Sequence, residues 1–167
     1  MFRFTLQTQG EFAAAHALWP YSGLCRHWHG HTWRLVLALT FETPLLDQAG
    51  ILVDYHELDG VLEQILKELD HHCLVPRDHP DATYLRSQDP EGCVLLPRVS
   101  SEALALYIWD LYKSALLRLE KIPGTLQEIC ITIQESPRHQ VTLHQKVVPQ
   151  KHDPPITKTE GEERRTL

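Results

Sequence analysis

Hydrophobic and polar residues alternate in two segments of the N-terminal part of the chain. The alternation runs through residues 2–12 and returns in residues 31–41, where β-branched and aromatic residues are frequent. A period of two residues is typical of a strand that buries one face. Pro20 and Gly23 interrupt the chain between the two segments. We therefore predict two antiparallel strands with a long connection that carries several histidines.

A helical period follows these strands. Asp54 can accept hydrogen bonds from free backbone N–H groups at a helix N-terminus, and Glu57 stands at the capping-box spacing. The apolar face of this first predicted helix consists of Leu58, Leu62, Ile65 and Leu69. Apolar residues that recur every three or four positions lie on one side of a helix, so this face should pack on the sheet.

A second helix is predicted to begin near Ser100-Ser101-Glu102 and to end at Pro123-Gly124. Its apolar stripe is predicted to consist of Leu104, Ile108, Leu111 and Ala115.

Two closing strands are predicted in residues 126–134 and 139–146, with Pro137 in the turn between them. The order of elements is therefore strand, strand, helix, helix, strand, strand. This order predicts an α+β fold, in which an antiparallel sheet carries helices on one face.

Two segments lie outside this pattern. Residues 73–97 contain four prolines and few periodic apolar positions, which indicates a long excursion. Long loops within a compact domain are often functional. Residues 147–167 are polar and proline-rich, which indicates a disordered tail. We therefore assign residues 1–146 to one domain.

Composition narrows the possible function classes. The chain has 167 residues, of which 43% are apolar, and its formal net charge is −6. Because there is no basic stripe, we do not expect nucleic acid as a partner. No apolar segment is long enough for a membrane span. The alternating N-terminus has no signal-peptide core, so we expect a cytoplasmic protein whose four cysteines are free thiols.

Three histidines are candidate metal ligands. His29 and His31 flank Gly30, and residues two apart on a strand point to the same face, so both imidazoles can reach one ion. His16 follows the first predicted strand, and antiparallel pairing could bring it beside them. Three imidazoles suit a zinc ion that keeps one position open for catalysis. The alternative is that they are ordinary histidines with ordinary hydrogen bonds.

Cys25 precedes His29 by four residues. A thiol beside a metal ion is shifted toward the thiolate, which suits a base or a nucleophile. It could instead be a fourth ligand that closes a structural zinc site. A small buried apolar residue is the third reading, and the residues alone do not choose among the three.

Two carboxylates stand next to the predicted elements. Asp70 precedes His71 at the end of the first helix, where it can orient the imidazole and raise its basicity. Histidines are also favoured at a helix C-terminus by the dipole alone. Glu135 ends a predicted strand and can accept two parallel hydrogen bonds from an amidine-like edge. A solvated surface glutamate is the alternative.

Five motifs appear together in a fixed order. They are FAAAH (residues 12–16), CRHWHGH (25–31), LDHH (69–72), SSEALA (100–105) and QES (134–136). In this order the chain resembles the 6-pyruvoyl-tetrahydropterin synthase family over roughly residues 2–143. Three residues separate Cys25 from the His-Gly-His sequence. This spacing looks most like the 6-carboxy-tetrahydropterin synthase (QueD) branch, which serves queuosine and deazapurine biosynthesis.

The resemblance implies a role for each motif. The implied zinc ligands are His16, His29 and His31. The implied catalytic residues are Cys25 as general base, with Asp70 and His71 as its partners. The implied pterin-binding residues are Glu135, at the amino-pyrimidine edge, and Ser100 and Ser101.

The resemblance also implies the T-fold, a four-stranded antiparallel sheet with two helices on its outer face. Its subunits join edge to edge into a trimer or hexamer, with active sites between subunits. The implied reaction converts 7,8-dihydroneopterin triphosphate to 6-carboxy-tetrahydropterin, acetaldehyde and triphosphate. The alternatives are a 6-pyruvoyl-tetrahydropterin synthase acting on the same substrate, a non-catalytic zinc- or pterin-binding protein, and a structural zinc module.

Overall fold

The computed structural model describes residues 1–43, 46, 48–118 and 125–147, and these residues build one sheet with packed helices. In chain order the elements are β1 (Phe2–His16), β2 (His29–Thr43), α1 (Tyr55–Leu69), β3 (His72–Pro76), α2 (Ala82–Gln88), β4 (Cys93–Leu96), α3 (Ser101–Arg118), β5 (Thr125–Ser136) and β6 (His139–Lys146). A short 3-10 turn, Leu24–Arg26, lies between β1 and β2. The fold is α+β, as predicted.

The two N-terminal strands extend beyond the alternating segments that predicted them. Strands β1 and β2 pair antiparallel along their whole length, from Phe2 opposite Thr43 to His16 opposite His29. Strand β5 pairs antiparallel with β2 and with β6. The predicted antiparallel pair and the predicted closing strands are therefore confirmed.

The sheet differs from the predicted one in its strand number. In the described residues it has six strands in the order β4-β3-β1-β2-β5-β6, where four had been expected. Strand β3 pairs parallel with β1, and β4 pairs parallel with β3. The prediction of an excursion without regular structure at residues 73–97 is wrong, because that segment holds most of β3 together with α2 and β4.

The prolines of this segment explain the error. Pro76 is the last residue of β3, Pro97 follows β4 directly, and Pro80 and Pro90 lie in the turns on either side of α2. Proline is tolerated at strand ends and in turns. The prolines therefore separate short elements of four to seven residues, each too short to show a period.

The sheet carries helices on both faces, where one face had been predicted. Helices α1 and α3 pack on the face whose core includes Trp33, Leu37 and Phe41 of β2, all fully buried. Helix α2 packs on the other face of the β3–β4 edge, where Ala82 contacts Val75 and Cys93.

The first helix matches its prediction closely. All four predicted core residues are buried. Asp54 is the N-cap, and its Oδ1 accepts a hydrogen bond from the backbone N–H of His56 at 2.9 Å. The donating N–H thus belongs to the residue before Glu57, the capping-box partner.

The stripe of the second long helix differs from its prediction. Leu104 and Ile108 are buried as expected, but Leu111 is exposed and Tyr112 is buried in its place. Positions 104, 108, 112 and 116 form a row of i, i+4 neighbours, and this row faces the sheet. The predicted end at Pro123-Gly124 lies outside the described residues.

The predicted tail also lies almost wholly outside the described residues. Val147 is described and packs against the core, with its N–H donating to the carbonyl of Gln127 at 2.8 Å. The four cysteines are free thiols. No helix in the described ranges is long and apolar enough to cross a membrane.

Removal of the Asp54 side chain should destabilise α1. Asp54→Ala leaves the N–H of His56 without its acceptor, and loss of an N-cap costs about 0.5–2 kcal/mol of unfolding free energy. Urea denaturation at fixed protein concentration measures the change. Asp54→Ser is the matched control, because serine caps nearly as well as aspartate. Equal stability of the two variants would contradict the capping role.

Candidate metal centre

The three predicted histidine ligands meet where β1 ends and β2 begins. His16 lies directly opposite His29, and His31 lies opposite Ala14, two residues before His16. Since residues two apart share a face of the strand, all three imidazoles point to the same side. A ligand nitrogen from each ring lies within 4.8 Å of the other two. The pairing of two strands thus assembles the cluster from residues that are distant in sequence.

Two backbone carbonyls fix the orientation of the rings. The Nδ1 of His16 donates to the carbonyl of Val99 at 2.8 Å, and the Nδ1 of His29 donates to the carbonyl of His27 at 2.7 Å. A ring whose Nδ1 donates keeps a lone pair on Nε2, the arrangement that metal-bound histidines adopt. Neither carbonyl could be predicted from the sequence, because any residue can supply one.

The cluster contains polar atoms that the described residues do not satisfy. The Nε2 atoms of His16 and His31 are buried, and neither has a hydrogen-bond partner in the described part of the chain. Buried polar atoms without a partner are costly and call for a specific explanation. A zinc ion fits these atoms, because it binds imidazole nitrogens and takes three protein ligands with one open position.

The electrostatics keep the imidazoles of His16 and His31 neutral. Burial lowers the pKa of His16 to about 4 from an ordinary value of 6.5, against the hydrogen bond to Val99, which raises it. Burial also lowers the pKa of His31, partly opposed by the charge of Glu135. Metal binding requires neutral imidazole, so the buried rings are in the ligating form at neutral pH.

Glu135 lies at the edge of this cluster. Its Oε1 is 3.7 Å from the Nε2 of His16 and 3.6 Å from the Nε2 of His31. The carboxylate is half-buried on β5, next to β2. It is therefore within reach both of an ion among the histidines and of a ligand bound above them.

Trp33 forms the inner wall of the cluster. Its ring is fully buried and meets His16 and His31 edge to face, at centroid distances of 5.0 and 5.2 Å. This apolar wall excludes water from the inner side of the rings, which contributes to the low pKa of His16. Trp33 was not among the predicted site residues.

Asp70 and His71 form a second polar pair. The Oδ2 of Asp70 is 2.8 Å from the Nδ1 of His71, and its Oδ1 accepts from the backbone N–H of Ala13 at 2.7 Å. These two hydrogen bonds lower the pKa of Asp70, the bond from Ala13 most strongly. The carboxylate thus stays ionised and holds the His71 imidazole through its Nδ1.

The backbone of His71 is unusual. Its φ of 60° is left-handed, a conformation that residues other than glycine adopt rarely. Its N–H donates to the carbonyl of Ala13 at 2.7 Å, which fixes the residue to β1. Strained backbone of this kind concentrates at functional sites, where it aims a side chain.

His71 lines a cleft that also reaches one histidine of the cluster. His31 and His71 both line a cleft of about 530 Å³, together with Gly30, Thr32 and Cys73. His71 is 85% exposed on the single chain. The structure therefore places a candidate acid–base group and a candidate metal ligand on the walls of one space.

The structure does not bring Cys25 and the serines into this cleft. Cys25 lies in the exposed 3-10 turn between β1 and β2, and its carbonyl accepts from the N–H of Leu18 at 2.8 Å. The Oγ of Ser100 accepts from the N–H of Ala103 at 3.3 Å, as a cap of α3. Ser101 is the first residue of α3. Their predicted roles toward the substrate stay predictions.

Comparison with known proteins identifies a family and a fold. The family model described as 6-pyruvoyl tetrahydropterin synthase matches residues 5–146. The solved 6-pyruvoyl tetrahydropterin synthase of Plasmodium vivax is 21% identical with a TM-score of 0.67, and the match covers 88% of this chain and 100% of that one. An uncharacterized protein from Wolinella succinogenes is 18% identical with a TM-score of 0.71, over 87% and 100%.

A third solved structure agrees with these two. The Caenorhabditis elegans 6-pyruvoyl tetrahydropterin synthase is 21% identical with a TM-score of 0.58, over 87% of this chain and 98% of that one. No curated protein matches this chain. The structural likeness confirms the predicted T-fold, with a strand number above the four expected.

Acid should destabilise the metal-free protein through His16. An unfolded histidine binds a proton below pH 6.5, but folded His16 binds one only near pH 4. Protons therefore favour the unfolded state between these values, and the effect is absent above pH 6.5. Urea denaturation of chelator-treated protein should show a loss of up to about 3 kcal/mol from pH 7 to pH 4, at about 1.4 kcal/mol per pKa unit.

The control is His16→Asn, whose amide can still donate to Val99 but does not titrate. Its stability should depend less on pH over the same range. The same pH dependence in both proteins would mean that burial of His16 is not the cause.

Proposed function

Because the chain belongs to the 6-pyruvoyl tetrahydropterin synthase family, we propose that it is a zinc-dependent lyase that acts on the triphosphate of a reduced pterin. One observation carries this proposal. Three histidines form a cluster in which two Nε2 atoms are buried and unpaired within the described residues, and one of these histidines, His31, lines a cleft together with His71 of an oriented Asp–His pair. A Lewis-acid position beside an acid–base group is what proton transfer on a hydroxylated side chain requires.

The proposed product is 6-carboxy-tetrahydropterin, with release of acetaldehyde and triphosphate from 7,8-dihydroneopterin triphosphate. The support is the three-residue spacing between Cys25 and His29, which looks most like the carboxy-tetrahydropterin branch. The alternative product from the same substrate is 6-pyruvoyl-tetrahydropterin, formed by elimination of triphosphate without carbon–carbon cleavage. Queuosine biosynthesis belongs to the first reading only.

The proposed zinc ligands are His16, His29 and His31, whose ligand nitrogens lie within 4.8 Å of one another. Zinc bound there would polarise the oxygens of the pterin side chain and acidify the neighbouring C–H and O–H groups. The hydrogen bonds of His16 to Val99 and of His29 to His27 hold the two rings in place without substrate. Preorganised ligands of this kind need no rearrangement when substrate binds.

Proton transfer is proposed for His71 and Cys25. Asp70 accepts the Nδ1–H of His71, so Nε2 is the atom that takes up or gives up a proton. Cys25 is the proposed general base. The hydrogen bond between its carbonyl and Leu18 ties its turn to the end of β1, two residues after His16. The chain thus carries the thiol on the connection between two proposed ligands.

Substrate binding is proposed for Glu135, Ser100 and Ser101. A carboxylate can accept two parallel hydrogen bonds from the amino-pyrimidine edge of a pterin. The position of Glu135 beside His31 suits a ring bound over the histidine cluster. The two serines stand at the start of α3, directly after Val99, whose carbonyl holds His16.

A ring-shaped homo-oligomer is proposed as the active form, as a trimer or hexamer. In the described sheet, β4 and β6 are edge strands, and edge pairing between copies satisfies their open backbone groups. His71 is largely exposed on the single chain, which suits a site completed by a neighbouring subunit. A cytoplasmic location stays a prediction.

A non-catalytic pterin- or zinc-binding protein is the second class considered. Such a protein needs no oriented acid–base group. The two hydrogen bonds of Asp70 and the left-handed backbone of His71 favour the catalytic reading. A structural zinc module closed by Cys25 is less favoured, because the cysteine lies in an exposed turn.

Product analysis tests the proposed reaction. The zinc-loaded protein, incubated with 7,8-dihydroneopterin triphosphate, should release acetaldehyde and 6-carboxy-tetrahydropterin, identified by mass spectrometry. Release of 6-pyruvoyl-tetrahydropterin would assign the chain to the pyruvoyl branch, and absence of turnover would favour the non-catalytic protein.

As control, the His29→Ala/His31→Ala variant should lose one equivalent of zinc and all turnover. Wild-type zinc content in that variant would contradict the proposed ligands.

Substitution of Cys25 separates a base from a ligand. If Cys25 is the general base, Cys25→Ala should keep zinc and pterin-analogue binding while turnover falls by about 10²–10⁴-fold. If Cys25 closes a structural site, the same change should release zinc and destabilise the fold. Zinc content, analogue affinity and turnover are measured on one preparation. Unchanged turnover would reject both roles.

A further inference from the structure

We propose that this protein has a second metal site, formed by Glu128, Cys130 and His144, for a thiolate- and imidazole-preferring divalent cation such as zinc. One ligand atom from each residue lies within 4.8 Å of the other two. None of the three residues belongs to the proposed active site. The inference does not depend on the proposed function, because it rests on a different part of the sheet.

The cluster is built like the histidine cluster. In each case one strand supplies two residues at positions i and i+2, and the neighbouring strand supplies the residue opposite one of them. Here β5 supplies Glu128 and Cys130, and β6 supplies His144 directly opposite Cys130. Side chains in these positions share a face and lie close together across the pair. The same backbone geometry therefore gathers three ligand types that bind zinc.

The atoms converge on one point. The Sγ of Cys130 is 3.2 Å from the Nδ1 of His144, and that same Nδ1 is 3.4 Å from the Oε1 of Glu128. The Cys130 side chain also hydrogen-bonds Glu128, so each of the three side chains contacts the other two. A catalytic relay would place the carboxylate on the other ring nitrogen. A cation between the three atoms satisfies all of them at once.

The new cluster lies on the opposite face of the sheet from the histidine cluster. Ile129 and Ile131, which flank Cys130, are buried in the core under the helices, so Cys130 points the other way. His16 and His31 share their face with the buried Trp33. The two clusters therefore cannot share one ion, and substitutions can remove metal binding at each cluster separately.

The charges suit a divalent cation. A thiolate and a carboxylate together carry two negative charges, which one dication neutralises. Arg3 faces the other oxygen of Glu128, at 3.8 Å from Oε2, and leaves Oε1 directed toward His144. The Arg3 side chain is 61% exposed, so water and salt screen its repulsion of an ion.

Binding through sulfur needs the thiolate form of Cys130. Burial and the nearby Glu128 raise the pKa of this thiol, so a metal that binds there must displace the thiol proton.

Cobalt titration tests the second site. Metal-free full-length protein is titrated with Co²⁺, and a thiolate-to-cobalt charge-transfer band in the near ultraviolet reports sulfur ligation. We expect the wild-type protein to bind two equivalents of Co²⁺ per chain and to show the charge-transfer band. The Cys130→Ser variant should lose the band. Its affinity for Co²⁺ at the second site should fall by about 10–100-fold or more, so that it binds one equivalent fewer than the wild type. Retention of the band in Cys130→Ser, or a single equivalent in the wild type, would overturn the proposal.

Three further variants make the result unambiguous. Cys25→Ser should keep the band, which excludes the other candidate thiol. His29→Ala/His31→Ala should lose the other equivalent and keep the band, so failure of the second site and failure of the proposed active site are distinguishable. His144→Ala changes a side chain that is 61% exposed and should fold normally. It should lose the same equivalent as Cys130→Ser, and full retention of that equivalent would contradict the site.

Discussion

The register between β1 and β2 is the constraint on which the site depends. His16 stands opposite His29 only because the two strands pair without a slip from Phe2 to the end of β1. A slip of one residue would turn every side chain of one strand to the other face. It would bring Phe12 and Ala14 out of the core along with His16, so hydrophobic burial and ligand geometry specify the same register. Pairing along the whole length of β1 and β2 therefore stabilises the arrangement of the three histidines.

Much of this arrangement could be predicted from the sequence. Sequence patterns identified β1, β2, β5 and β6, and the helical period identified α1 with four of its five buried residues, all except Val61. The spacing around Gly30 and the motif order identified the histidine cluster, and the structure gathers these residues at one point. The strands and the helix were predictable because each carries a local pattern that repeats several times within one element.

The missed features have no such signal. Strands β3 and β4 are short, and they join the sheet by parallel pairing to β1 and to each other, which depends on contacts between distant residues. The buried stripe of α3 runs through Tyr112, because packing against the sheet decides which row faces inward. The carbonyl of Val99 orients His16 although no side chain there marks it. Tertiary contacts decide such features, and a local pattern does not contain them.

Burial distinguishes the two clusters that the sheet assembles. The histidine cluster lies against Trp33, and desolvation there keeps neutral imidazoles without hydrogen bonds at Nε2. The cluster of Glu128, Cys130 and His144 is more exposed, and its members already contact one another. An ion at the first cluster satisfies atoms that nothing else in the described residues satisfies, whereas an ion at the second must displace a thiol proton and existing contacts. The same strand geometry therefore gives a preorganised site on one face and, on the other, a site whose ligands already contact one another.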